Sequence, residues 1–160
     1  LQTYKANTIT LDSKNKDFIV GGGTIWDGKS LYELYEEASL PWEWHIPIFK
    51  KAKELGIECF SSPFDISAVD FLEEIGCSRY KIASFEITDY PLLKRVAVTK
   101  KPVIISTGVS TKIEIENAIN ILKENGTKDI TILKCTSSYP APIEEANLEM
   151  IKKCCCFCCN

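Results

Sequence analysis

At 160 residues, 45% hydrophobic and 26% charged, the chain has the size and balance of one domain with a substantial core. A formal net charge of -3 with no basic run excludes a general pull on nucleic acid. No apolar stretch is long enough to span a membrane.

The start, Leu1-Gln2-Thr3-Tyr4-Lys5, has no Met and no charged-then-apolar signal pattern, so the chain is expected to begin mid-protein. Leu1 to Tyr4 reads as the tail of a strand. Residues 5 to 30 are polar and irregular, with Gly21-Gly22-Gly23 and Asp27-Gly28 as turn signals, and are expected to form one long loop. The glycine run lacks the flanking strand, helix and Lys-Ser/Thr of a phosphate loop.

Helical spacing begins near residue 29, where Leu31, Leu34 and Tyr35 form a stripe. Pro41 opens a second helix that carries Ile46, Phe49, Ala52 and Leu55 and stops at Gly56. Ile57 to Phe60 is expected to be a strand. Asp65 caps a helix through Val69, Phe71, Leu72 and Ile75, closed by Gly76. Tyr80 to Ser84 is the next strand, and Asp89-Tyr90-Pro91 opens a helix through Leu92, Leu93 and Val96. Val103 to Ser106 follows as a strand. Ser110-Thr111 caps a periodic helix from Ile113 to Leu122, ending near Gly126. Ile130 to Cys135 is a further strand, Tyr139-Pro140-Ala141-Pro142 a rigid loop, and residues 147–151 a short helix.

Alternating strands and helices, with nearly continuous apolar strands, predict an α/β fold with parallel strands covered by helices. An open doubly wound sheet and a (β/α)8 barrel both fit. Polar groups at every strand end, rather than at one switch point, favour the barrel. Only about five strands are visible, so the expectation is a partial (β/α)8 TIM barrel over residues 1–151. Residues 152–160 form a separate cysteine-rich tail, expected to be foreign to the fold. Five of the eight cysteines stand there: Cys154, Cys155, Cys156, Cys158 and Cys159. Their contiguous spacing does not suit a zinc site, and palmitoylation beside Lys152 and Lys153 is the other reading. Cys59, Cys77 and Cys135 are isolated and expected to be buried free thiols in a reducing, cytoplasmic compartment.

The strand ends hold the chemistry. Ser61, Ser62, Lys81, Ser84, Ser106, Thr107, Thr136 and Ser137 supply hydroxyls and a cation, and parallel strands gather such ends at one rim. Thr107-Gly108 allows close backbone approach. This donor set fits a phosphorylated or carboxylated substrate. Lys81 serves there as a point charge or a Schiff-base amine, and Glu86 handles protons. Against this, a lone serine at a strand end is usually a turn residue, and Glu33, Glu36 and Glu37 read as a solvated helix face. His45, the single histidine, suits packing or capping better than metal binding.

Together, Cys59-Phe60-Ser61-Ser62-Pro63-Phe64-Asp65, Tyr80-Lys81-Ile82-Ala83-Ser84-Phe85-Glu86, Ile105-Ser106-Thr107-Gly108 and Lys134-Cys135-Thr136-Ser137-Ser138-Tyr139-Pro140 resemble the nonulosonic (sialic) acid synthases. Phe18 to Gly22, Trp26-Asp27-Gly28, Leu31 to Glu36 and Pro41 to His45 are similar to the pseudaminic acid branch of that family, rather than to the N-acetylneuraminate or legionaminate branches. The resemblance runs from Leu1 to about Ile151. It implies a TIM barrel in which the enol carbon of phosphoenolpyruvate attacks an open-chain acetamido sugar, here 2,4-diacetamido-2,4,6-trideoxy-L-altrose. Metal-bound water then adds and phosphate leaves by C–O cleavage. By the same resemblance Gln2, Ser62, Lys81, Ser84, Ser106 and Ser137 bind phosphoenolpyruvate. Glu86 and Tyr139 face the sugar, and Glu86 and Lys81 are the catalytic pair.

The resemblance further implies a divalent metal, Mn or Mg, and a homodimeric parent. The family's first strand, its two metal-ligand histidines and its C-terminal antifreeze-like domain are not in this sequence. The chain alone is therefore expected to be inactive, with a non-catalytic anion-binding remnant as the competing reading.

Overall fold

The computed structural model describes residues 1–138 and 140–152; Tyr139 and the cysteines of the tail lie outside the described residues. Five short strands run parallel: β1 (Gln2–Thr3), β2 (Ser62–Pro63), β3 (Tyr80–Ile82), β4 (Val103–Ser106) and β5 (Ile130–Leu133). β1 pairs with β2, and β3, β4 and β5 pair in turn. A parallel bridge between Ser61 and Tyr80 joins the two groups, so neighbours in space follow chain order. Sequential order without a reversal is what a barrel wall requires and what a doubly wound sheet lacks. Among the described residues the wall does not close.

Between and beside these strands the described residues form α1 (Ala6–Ile9), α2 (Leu31–Ala38), α3 (Trp42–Glu54), α4 (Ile66–Glu74), α5 (Tyr90–Ala97) and α6 (Lys112–Glu124). Their starts are capped where the residue types demand it. Asp65 accepts the Ala68 amide, Asp89 accepts the Leu92 amide, and the pairs Ser30/Glu33 and Thr111/Glu114 form capping boxes. Along α6, Ile115, Ala118, Ile119 and Leu122 recur at helical spacing and are all buried. They pack with Leu92, Leu93 and Val96 of α5 and Val69 and Leu72 of α4 against Tyr80, Ile82, Val103 and Ile105. The core therefore lies on one face of the sheet, between strands and helices.

Several local expectations need correction. Ile57 to Phe60 is not a strand. The Ser61–Tyr80 register sets these residues beside 76–79, where Gly76 (φ +76°) ends α4 in a turn that offers no ladder. Pairing starts only at Ser61. The loop over 5–30 is more structured than its composition suggests. It contains α1, a 3-10 turn (Lys16–Phe18) and an antiparallel bridge from Ile19 to Ser30. β3 stops at Ile82, and Ser84–Thr88 forms a 3-10 turn. β5 stops at Leu133 rather than Cys135. Only Cys77 of the three isolated thiols is buried; Cys59 and Cys135 are half-buried, because both stand at strand margins. No helix among the described residues is long and apolar enough to cross a membrane.

Candidate functional site

Paired residues of neighbouring strands project to the same face of a sheet. Gln2 pairs with Ser62, Lys81 with Ile104, and Ile104 with Thr131; Ser61 opposite Tyr80 puts Ser62 level with Lys81. Gln2, Ser62 and Lys81 thus stand in one row, on the face away from the helices. Ser106 lies two residues beyond Ile104 on that face, nearer the C-terminal rim. Ser62 and Ser106 are buried, Lys81 is half-buried and Gln2 is exposed. Among the described residues, the Lys81 ammonium has no hydrogen-bond or ion-pair partner.

Three chain segments meet just above this row. Ser84 opens the 3-10 turn after β3, and its Oγ accepts the Gly108 amide at 3.1 Å. Gly108 follows β4, and a Cβ placed on it would lie 2.1 Å from Ser137 Oγ and 3.3 Å from Cys135 Cβ. Ser84, Gly108 and Ser137 are therefore brought together from the ends of three adjacent strands, and glycine is the residue that fits between the two hydroxyls. Glu86 sits in the same 3-10 turn as Ser84. Its Oε2 is buried without a hydrogen-bond partner among the described residues. Burial pushes this carboxyl above its ordinary value; its own backbone amide works against that, Asp89 adds to it, and Lys81 pulls down.

Three of the candidate hydroxyls are spent elsewhere. Ser61 is fully buried on the helix side, bonded to Thr3. Adjacent strand residues point to opposite faces, so Ser61 and Ser62 cannot both line the rim. Thr107 Oγ1 donates to the Leu133 carbonyl at 2.9 Å. Thr136 Oγ1 accepts from Lys134 and donates to the Glu145 carbonyl. Tyr139 lies outside the described residues. His45 is buried within α3, and its Nε2 lies 2.8 Å from Thr3 Oγ1. Burial pushes this ring below its ordinary pKa, which favours the neutral imidazole. The link from His45 through Thr3 to Ser61 had no local sequence signal, because its members lie 42 and 58 residues apart. Among the described residues, no group of three or more His, Cys, Asp or Glu is placed to hold a metal ion.

Comparison with known proteins adds an independent line. The NeuB family profile matches residues 1–155. A pseudaminic acid synthase of Helicobacter pylori (strain ATCC 700392 / 26695) is 48% identical over 95% of this chain and 45% of its own length. An N,N'-diacetyllegionaminic acid synthase of Campylobacter jejuni subsp. jejuni serotype O:2 is 38% identical over 94% of this chain and 46% of its own. The crystal structure of the N-acetylneuraminic acid synthetase from Leptospira borgpetersenii serovar Hardjo-bovis superposes with a TM-score of 0.80. That match is at 28% identity, over 96% of this chain and 48% of the other. The chain spans about half the length of the relatives it matches.

Proposed function

The chain belongs to the NeuB family, the nonulosonic acid synthases, and on that premise we propose that it is the central part of a longer pseudaminic acid synthase. The reaction is condensation of phosphoenolpyruvate with 2,4-diacetamido-2,4,6-trideoxy-L-altrose, releasing phosphate, by a cytoplasmic homodimeric enzyme. The observation that carries this reading is the meeting of Ser84, Gly108 and Ser137 beyond the C-terminal ends of strands that also carry Lys81, whose ammonium has no hydrogen-bond or ion-pair partner among the described residues. That arrangement suits one compact, highly charged anion. Gln2, Ser62 and Ser106, on the same face of the sheet, complete the cradle for phosphoenolpyruvate. The higher identity to the pseudaminic relative than to the legionaminic one supports the choice of sugar.

Glu86 supplies the acid. Its raised pKa keeps a larger protonated fraction near neutrality than an exposed glutamate has. As the enol carbon bonds to the aldehyde carbon, the carbonyl oxygen gains negative charge and takes the Glu86 proton. Water then adds at the phosphate-bearing carbon, now cationic, and gives a proton back to the Glu86 carboxylate; phosphate departs from that same carbon by C–O cleavage, leaving the keto group. The divalent metal implied for the family does not fit the described residues, and no step of Lys81 or Glu86 depends on it. Tyr139 is assigned to the sugar side.

Calorimetric titration of this chain with phosphoenolpyruvate is expected to show saturable binding; a flat titration would overturn the reading. Supplied with phosphoenolpyruvate, manganese and the acetamido sugar, the chain alone is expected to form no product, and clear product formation would refute its assignment as an incomplete synthase. Gly108→Ala is expected to push the Ser137 hydroxyl aside and weaken phosphoenolpyruvate binding about 10- to 100-fold, the worth of one hydrogen bond to a charged group. Its melting temperature should stay near that of the parent, because the displaced atom is a rotatable hydroxyl. An unchanged affinity would remove Ser137 from the cradle.

A further inference from the structure

Thr3, His45 and Ser61 are each fully buried, on the helix-covered side of the sheet. Thr3 Oγ1 lies 2.8 Å from His45 Nε2 and 2.7 Å from Ser61 Oγ, so one threonine hydroxyl bridges α3 and the entry to β2. His45 is the only buried residue of α3. Its ring is held edge-on to Phe71 at 5.5 Å, and Phe71 in turn stacks on Trp42 at 4.9 Å. A neutral imidazole and two hydroxyls satisfy both hydrogen bonds with the protons running in either direction.

The location of this link matters because the backbone hold between β1 and β2 is small. Their ladder has two rungs, Gln2 with Ser62 and Thr3 with Pro63. Pro63 has no N–H to donate, so the second rung lacks a donor on one side. The Ser62 amide bonds to the Leu1 carbonyl at 3.0 Å, and the side-chain link at Thr3 supplies the hold that proline cannot. Gln2 precedes Thr3 and Ser62 follows Ser61, each turned to the opposite face, in the row with Lys81.

We propose that His45 is a positioning residue that acts through Thr3 and Ser61 to hold Gln2 and Ser62 level with Lys81 in the anion cradle. The ligand rests on the functional reading above; the geometry does not. The test compares the 160-residue chain with Thr3→Val, Thr3→Ser and His45→Phe, by phosphoenolpyruvate titration and by amide hydrogen exchange. Thr3→Val and His45→Phe are expected to weaken binding about tenfold, and Thr3→Ser, which keeps the hydroxyl, to stay within about twofold. The Ser62 amide should exchange at least about tenfold faster in Thr3→Val and His45→Phe, while the Val103 amide, bonded to Asp129, keeps its parent rate. Equal loss in Thr3→Ser and Thr3→Val would overturn the proposal, as would uniform acceleration at Ser62 and Val103 or none at all. If Thr3→Val does not fold, Ser61→Ala takes its place in the same comparison. If the parent chain itself binds no phosphoenolpyruvate, the functional reading falls, and the exchange rates alone decide the role of His45.

Discussion

Lys81→Met is expected to lower the phosphoenolpyruvate affinity of this chain about 30-fold or more while leaving its stability nearly unchanged. Methionine keeps the length and apolar stem of lysine and removes only the charge. Truncating one partner of a desolvated charge pair costs about 2–5 kcal/mol. The stability half of the prediction follows from the site itself: among the described residues Lys81 makes no ion pair, so none is lost on substitution. Lys81 also favours the ionised form of Glu86, but it is the smallest of the influences on that carboxyl, so its removal lowers the melting temperature at neutral pH only slightly. Calorimetry and thermal melting on the same samples check both halves. A variant that binds as well as the parent would displace Lys81 from the centre of the site.

Glu86→Gln is expected to cost the full-length synthase about 10²- to 10⁴-fold in turnover, the usual worth of a positioned general acid. The same substitution should stabilise this chain at neutral pH, seen as a higher melting temperature. The sign follows from the buried, unpartnered Oε2. A carboxyl whose folded pKa is raised contributes stability that is fully present below its unfolded pKa and is lost as pH rises through the folded value. At neutral pH the parent carries that loss and the glutamine variant does not. Below about pH 4, where the unfolded carboxyl also takes up its proton, the difference should vanish. Melting curves at both pH values decide the matter. A glutamine variant that melts lower at neutral pH would show that Glu86 is satisfied as a carboxylate and is not held as an acid.

Much of the fold was legible because its signals are local. Asp65, Asp89 and Thr111 cap helices through bonds that reach only three residues. The spacing of Ile115, Ala118, Ile119 and Leu122 declares a buried helix face before any partner is known. The misplaced strand at Ile57 to Phe60 shows the limit. Apolar character marks a stretch that can pair, but pairing needs a partner in register, and Gly76 sets a turn where that partner should be. The short helix at Ala6–Ile9 was missed for the opposite reason: its four residues carry too little pattern to register.

At the site, residue type alone marked out Lys81, Ser84, Glu86 and Ser137, and the family motifs sharpened the choice among neighbours. Residue type could not sort the hydroxyls. Ser61 and Ser62 are chemically identical, yet one bonds to Thr3 on the helix side and the other stands in the Lys81 row. That division follows from strand register, which is a property of two segments at once. The sequence by itself determined the parallel α/β character and the starts of α4, α5 and α6, because these rest on contacts within a few residues or on composition. Only the tertiary structure decided which donors stand in the Lys81 row, that Gly108 lies between Ser84 and Ser137, and that His45 bonds Thr3 on the opposite face. Each of these joins residues far apart in the chain, and their meeting depends on packing that no local pattern encodes.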